Sequence, residues 1–276
     1  MSCSVLGVDF SGASDAGDNI WLTEGTWSAA ELTVSSVTSA ATNWDSSRDA
    51  ALEGLVNVIS SGDHDVVGLD FPFSVPQDVV EEDNWHRFAR NLESHRDAER
   101  NGHPAERFRT GCRDRADGTD KKRRTDEEHR AQCPYGVRIK YQTYFGIVDV
   151  LRPLVEAHDV PVEPLSTAGE GPPTVVEVYP AATINSLFDE DSSGYKGTSE
   201  TALEKRTSLV AELESAEPGV SFDGDGGTDR PKLATLCSDD ALDSVLAALS
   251  AARACESDFS IGGSEDVHGI EGKIFV

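Results

Sequence analysis

Three short apolar runs in this sequence each contain a carboxylate, an arrangement that few folds accommodate. The runs are SVLGVDF at 4–10, DVVGLDFPFSVP at 65–76 and TVVEVYP at 174–180. Asp9 and Asp70 end the first two apolar stretches, and Glu177 lies between valines in the third. A charge inside an apolar strand costs several kcal/mol unless it is paired or bound to a metal ion. Because parallel strands bring their carboxyl ends to one edge of a sheet, the pattern predicts a carboxylate site at that edge.

The order of the predicted elements indicates an α/β fold of the RNase H-like class. Alternating hydrophobicity predicts three strands in series, as an antiparallel meander, at 4–10, 19–28 and 31–40. The elements predicted after them are a helix at 47–60, a strand at 65–76, a helix at 137–158, a strand at 174–180 and helices at 199–215 and 239–254. We therefore predict a mixed sheet, with three antiparallel strands and then parallel strands, flanked by helices. A Rossmann domain is disfavoured because DFSGASDAG, after the first strand, lacks the GxGxxG fingerprint.

The length of the chain suits one large domain. We predict that residues 1–276 form a single RNase H-like domain, in which a basic and largely helical segment at about 78–136 is an insertion. Residues 164–173 and 218–231 are predicted loops, because glycine and proline are frequent in both. The DGDGG stretch inside the second loop is too short for an EF-hand, so we predict a turn there.

The last predicted helix adds two carboxylates to this site. In SDDALDSVLAALSAA, Asp240 and Asp243 lie three residues apart on one face. The helix dipole explains an acid in the first turn, but not Asp243, which lies a turn further in. Acids that converge on one edge cannot all ionise without cations, and oxygen ligands of this kind suit Mg²⁺ or Mn²⁺ in a two-ion site. The predicted catalytic carboxylates are Asp9, Asp70, Glu177 and Asp243, and the predicted metal ligands are these four and Asp240.

The charge of the chain is strongly acidic but unevenly distributed. The net charge is −26, a balance typical of haloarchaeal proteins in molar salt and unfavourable for a general polyanion binder. Residues 85–140 nevertheless hold 15 basic and 10 acidic residues, whereas the rest of the chain holds 9 and 40. This local excess predicts a segment that binds the phosphates of a nucleic acid or nucleotide, with Arg123 and Arg124 as substrate-binding residues. The alternative is that these arginines pair with the acidic body.

The cysteines give no sign of a disulfide framework or a metal site. There are five of them, with no CxxC pair and no basic leader before the first strand, which predicts reduced thiols and a cytoplasmic protein. The spacing of His103, Cys112, His129 and Cys133 fits no familiar zinc site, so unpaired core and surface residues are expected. No apolar run approaches the roughly 18–20 residues that span a bilayer, which excludes a transmembrane protein.

Seven short motifs, in order along the chain, resemble one known family. They are GVDFSGA, GLDFPFSVP, RRTD, CPYG, VVEVYPAA, DDALDSVLAALSAA and the terminal IEGKIFV. Their order and wording, from Gly7 to Ile274, are similar to the domain-of-unknown-function 429 family, although EGK stands where EGW is common. This resemblance implies a predicted nuclease with an RNase H-like fold and a site built from Asp9, Asp70, Glu177 and Asp243. The final D-x-x-D also resembles the helix pair of Holliday-junction resolvases of that fold.

A metal-dependent nuclease is therefore the predicted function, and two alternatives stay open. The first is a non-catalytic module of the same fold that binds a nucleotide or nucleic acid. The second is an actin-like phosphotransferase, because DFSGAS is similar to a DxGxT phosphate loop after a first strand. Such enzymes usually repeat the core twice, and no second copy is visible here.

Overall fold

The computed structural model describes residues 2–97, 102–166, 171, 173–188, 193–223, 230–260 and 269–276. Within them, eight strands form one sheet. These are β1 (Cys3–Asp9), β2 (Trp21–Ser28), β3 (Glu31–Ser39), β4 (Val66–Asp70), β5 (Val162–Glu163), β6 (Thr174–Val178), β7 (Gly219–Phe222) and β8 (Ile274–Phe275). Their order is β5-β6-β4-β1-β2-β3-β7, and β8 pairs with β6 beyond the end of β5.

The strand directions confirm the predicted mixed sheet. The pairs β1–β2 and β2–β3 are antiparallel, whereas β1–β4, β4–β6 and β3–β7 are parallel. The antiparallel meander of β1, β2 and β3 thus forms one part of the sheet. The parallel strands β4 and β6, which are reached by crossover connections, extend the sheet from β1. This arrangement is consistent with an RNase H-like fold. The division into one domain with an insertion stays a prediction.

Helices cover both faces of the sheet. They are α1 (Ala16–Asn19), α2 (Ala40–Asn43), α3 (Arg48–Ser60), α4 (Trp85–Leu92), α5 (Pro104–Arg115), α6 (Arg124–Glu128), α7 (Lys140–Phe145), α8 (Arg152–His158), α9 (Pro180–Phe188), α10 (Glu200–Ser215), α11 (Arg230–Cys237) and α12 (Asp239–Glu256). A π-helical turn at Gly146–Leu151 joins α7 to α8, so the helix predicted at 137–158 is continuous from residue 140. None of the described helices is long and apolar enough to cross a membrane.

Each face of the sheet has its own apolar core, because successive side chains along a strand point to opposite sides. Leu6 and Val8 of β1 pack with α3 and α8 in one core. Val5 of β1 packs with α10 and α12 in the other. Gly7 and Asp9 have the same parity as Val5, so both belong to the face that α12 covers.

Two glycines let α12 lie unusually close to the sheet. A Cβ atom on Gly7 would be 2.2 Å from the backbone nitrogen of Ala248, and one on Gly68 would be 2.6 Å from the carbonyl oxygen of Ala247. A buried hydrogen bond helps to fix the helix at this distance, since the Thr23 and Ser244 hydroxyls are 2.7 Å apart. The first turns of α12 are thereby brought against the carboxyl ends of β1 and β4.

Gly7→Ala is expected to destabilise the protein at the upper end of the roughly 1–3 kcal/mol that overpacking costs, because backbone atoms of α12 occupy the space of the new methyl group. Gly111→Ala is the matched control, since only side-chain ends lie near that position in α5 and alanine favours the helix by about 0.5–1 kcal/mol. Urea unfolding of both variants measures the difference. Equal stability of the two would contradict the close packing.

Parts of the predicted pattern differ from the structure. Residues 218–231 were expected to form a loop, yet they contain β7, whose Val220 is buried against β3, and they include the start of α11. The predicted DGDGG turn falls mostly outside the described residues. Helix α9 follows β6 directly at Pro180, where proline suits the first turn of a helix.

Candidate metal centre

Three carboxylates from three separate elements meet at the edge of the sheet. Asp9 and Asp70 are register partners at the ends of the parallel strands β1 and β4. Asp243 comes from α12, over the same edge. One oxygen from each carboxylate lies within 4.8 Å of the others. Among the described residues this is the one assembly of three or more metal-ligating side chains, and we call Asp9, Asp70 and Asp243 the carboxylate cluster.

The donor set of the carboxylate cluster fits a divalent cation. Carboxylate oxygens are the ligands that Mg²⁺ and Ca²⁺ prefer, at about 2.0–2.1 Å and 2.3–2.6 Å respectively. Oxygens on opposite sides of one such ion are therefore about 4–5 Å apart, and the 4.8 Å limit matches that span. The negative charges of three neighbouring carboxylates are not balanced by an equal number of positive side chains, and this imbalance also favours a bound cation. The cluster could thus hold one ion, and its ligands do not select between metals.

Burial and mutual repulsion raise the pKa values of these acids. Burial raises the pKa of Asp9 well above its usual range, and the Asp243, Asp70 and Asp240 charges add to the effect. Burial, with repulsion from Asp243, raises the pKa of Asp70 to about 8. The pKa of Asp240, half-buried at the start of α12, rises to about 6, again mainly through burial. The site therefore holds protons that a bound cation would displace.

The metal-free protein is expected to lose stability as the pH rises from about 4 to 8. The pKa of Asp70 is about 8 in the folded state and 3.8 ordinarily, so between these values the folded state binds more protons than the unfolded state. This contribution to stability is complete below pH 4 and gone above pH 8. Urea unfolding in chelator at pH 5 to 9, with Asp70→Asn compared, measures the slope. An identical slope in the variant would contradict the raised pKa.

Lys196 and Tyr195 also contact the carboxylate cluster, although neither was among the predicted site residues. The Lys196 ammonium donates to Asp243 Oδ2 at 2.6 Å, and the Tyr195 hydroxyl donates to Asp243 Oδ1 at 2.7 Å. Buried Arg206 holds their segment by donating to the carbonyl oxygens of Tyr195 and Gly197. The available signal was a Tyr-Lys pair between two glycines, Gly194 and Gly197, in a chain with only seven lysines.

Glu177 lies in the same cleft but points away from the carboxylate cluster. Its register partner on β4 is Leu69, which packs in the opposite core to α12, so Glu177 faces that side of the sheet as well. Its carboxylate accepts from Arg123 Nη2 at 2.5 Å, from Arg123 Nη1 at 2.7 Å and from the Phe73 amide at 2.9 Å. The structure therefore brings Asp9, Asp70 and Asp243 together and places Glu177 in a separate ion pair.

Arg123 is the centre of that separate network. It is fully buried, and its side chain donates to both oxygens of Glu177, both oxygens of Asp126 and the carbonyl oxygen of Glu271. All five N–H groups of the guanidinium are used. Arg124 is exposed, and its backbone amide donates to the Glu271 carboxylate. The geometry thus favours the ion-pair alternative for Arg123 and leaves Arg124 on the surface.

The four possible zinc ligands do not assemble within the described residues. Cys112 is buried in the apolar core, and burial raises the pKa of its thiol to about 12. His103 Nδ1 accepts from the Ala105 amide at the start of α5. These contacts are those of core and helix-capping residues.

A cleft of about 330 Å³ opens above the carboxylate cluster. Its walls come from the ends of β1, β4 and β6, from the segment of Lys196 and from residues between α6 and α7. The polar side chains that line it include Ser11, Asn19, Gln132, Gln142, Tyr179 and Asp240. This volume lies at the lower end of the range for small-molecule sites.

The fold and the cleft together define the class of this protein: an α/β protein with a mixed sheet and a cluster of acids suited to a metal ion. The model of the family described as "Protein of unknown function (DUF429)" matches residues 7–266, and the chain belongs to that family. No curated protein matches the chain, and no solved structure does either.

Proposed function

We propose that this protein is a metal-dependent nuclease, an enzyme that hydrolyses a phosphodiester in the cleft above Asp9, Asp70 and Asp243. The observation that carries the proposal is the approach of three carboxylate oxygens to within 4.8 Å, at the carboxyl ends of two parallel strands. Mg²⁺ or Mn²⁺ bound there would polarise the phosphoryl group and lower the pKa of an attacking water.

The side chains around the cleft have separate roles in this proposal. Asp9, Asp70 and Asp243 hold the cation, and Tyr195 orients Asp243 through its hydroxyl. Asp240 lines the cleft outside the cluster, and its pKa of about 6 suits a group that accepts the proton of the attacking water. Glu177 acts indirectly, because it anchors the Phe73 amide in the chain that follows Asp70.

The test is hydrolysis of single-stranded DNA, RNA and bis(p-nitrophenyl) phosphate with Mg²⁺, with Mn²⁺ and with chelator, in molar KCl. We expect cleavage that requires the cation and is lost in Asp243→Asn. Glu256→Gln, at the exposed far end of the same helix, is the matched control and should retain activity. Cation binding by calorimetry without any cleavage would instead support a non-catalytic module. ATP consumption would support the phosphotransferase.

A further inference from the structure

We infer that the cleft takes a small, nucleotide-sized phosphodiester, whose phosphate is held by Lys196, and does not take the interior of a long nucleic acid. The inference rests on the proposed function and names its substrate class. Three observations support it: the basic side chains that line the cleft, the ion pairs made by the Lys and Arg residues of segment 85–140, and the volume of the cleft.

Lys196 is placed to contact a phosphate. Arg123 and Lys196 are the basic residues among the described residues that line the cleft, and Arg123 is fully buried with all its donors used. Lys196, by contrast, is 60% exposed along its side chain. An ammonium has three N–H donors, and one hydrogen bond is made to Asp243. The other two are available to phosphate oxygens next to the cation site.

The basic segment 85–140 is largely occupied by internal ion pairs. The described residues include fourteen of its fifteen Lys and Arg side chains, and nine of these fourteen pair with carboxylates. They are Arg87, Arg90, Arg96, Arg109, Arg113, Arg115, Lys121, Arg123 and Lys140. Six of these nine side chains pair only with acids at 78–140, whereas Arg90, Arg96 and Arg123 reach Glu156, Asp149 and Glu177. Much of the positive charge of the segment is therefore neutralised locally.

A long duplex would meet an unfavourable surface beyond the cleft. Duplex DNA carries one charge per about 1.7 Å, and its binding needs several unpaired Lys and Arg residues along the backbone. The protein has a net charge of −26. The aromatic side chains of the same segment are also unavailable for stacking, since Trp85, Phe88 and Phe108 are at most 2% exposed. One phosphate with its flanking groups matches a cleft of about 330 Å³ better than a strand that must pass through it.

The reaction on such a substrate balances without any further reactant. A water oxygen forms a bond to phosphorus while the P–O bond to the leaving alcohol breaks. One proton of the water passes to Asp240, and the leaving oxygen takes a proton from solvent. The products are a phosphomonoester and an alcohol.

The experiment compares cleavage per phosphodiester bond in thymidylyl-thymidine, in circular single-stranded DNA and in supercoiled plasmid, all with Mn²⁺. We expect the dinucleotide to be cleaved at least 100-fold faster per bond than either circle. Equal or faster cleavage of the circles would overturn this inference while leaving the proposed nuclease intact. Cleavage of none of the three, despite bound cation, would remove the proposed function itself.

Lys196→Met tests the phosphate contact separately. We expect KM for thymidylyl-thymidine and the inhibition constant of inorganic phosphate to rise about tenfold or more, with Mn²⁺ affinity unchanged or tighter because a competing positive charge is removed. Lys232→Met is the matched control, since Lys232 also pairs with a carboxylate at 2.6 Å, that of Glu214, in another part of the chain. Weaker Mn²⁺ binding with unchanged phosphate inhibition would show that Lys196 only braces Asp243, and would overturn the contact.

Discussion

Replacement of Asp9 by Asn is expected to abolish cation-dependent hydrolysis and to leave the metal-free protein at least as stable as the wild type. Loss of a residue that only hydrogen-bonds to a metal ligand typically lowers activity by about 10–100-fold. Loss of a ligand itself should therefore lower activity by more than about 100-fold. Stability should hold or rise because Asn has the shape of Asp without its charge. Burial raises the pKa of Asp9, and repulsion from Asp243 and Asp70 adds to the effect.

Two measurements check this prediction: the hydrolysis rate with Mn²⁺, and thermal unfolding with Mn²⁺ and with chelator. The variant should unfold at the same temperature in both solutions, whereas the wild type should gain stability from the ion. Asp65→Asn is the control. Asp65 is exposed and lies just before the start of β4, at the end of that strand opposite to Asp70. A clear loss of stability of Asp9→Asn in chelator would mean that Asp9 is a structural partner.

The sequence predicted the strands and helices that hold the carboxylate cluster. β1 and α12 lie within two residues of their predicted bounds, whereas β4 starts one residue after its predicted start and ends at Asp70, six residues before the predicted end at 76. The proximity of Asp9 to Asp70 depended on β1 and β4 being neighbours, and the pairing provides that. These features are local in sequence, since each follows from the spacing of apolar residues within one element.

Strand register could not be predicted in the same way. Glu177 lies in an apolar strand, as Asp70 does, and burial alone gives both the same expectation. Which face of the sheet each occupies depends on the pairing of β6 with β4, where a shift of one residue exchanges the faces. The observed pairing puts Glu177 beside Leu69 and on the face opposite α12. That choice is made by packing between elements far apart in sequence.

The partner of Glu177 shows the same dependence on distant elements. Arg123 immediately precedes α6 as its N-cap residue, Glu177 lies on β6, and Glu271 lies shortly before β8. The sequence contains the RRTD and IEGK motifs, but their spacing does not indicate that they are in contact in the folded protein. A charged residue that is fully buried needs partners of opposite charge, and the fold supplies the carboxylates of Asp126 and Glu177, with the backbone carbonyl oxygen of Glu271 as a further acceptor. The need to pair a buried arginine therefore gives the RRTD motif a structural explanation.

Arg123→Met is expected to destabilise the protein by about 3–5 kcal/mol, because removal of one member of a buried ion pair leaves the others without compensation. Glu177 is 2% exposed and Asp126 is fully buried, so both carboxylates would lose their cation without gaining water. For a protein of typical stability, about 5–15 kcal/mol, this is a large fraction of the total. Urea unfolding of the metal-free protein at pH 7 measures the loss.

Arg124→Met is the matched control, since the neighbouring side chain is exposed and a surface substitution usually changes stability by no more than about 0.5 kcal/mol. Arg123→Lys should also be unstable, because an ammonium has three donors where the network uses five. If Arg123→Met instead kept its stability and bound inorganic phosphate more weakly, Arg123 would be the substrate-binding residue that the basic segment first suggested. The expected pattern, a large loss at residue 123 and almost none at residue 124, separates a structural network from a phosphate site because only the first requires burial.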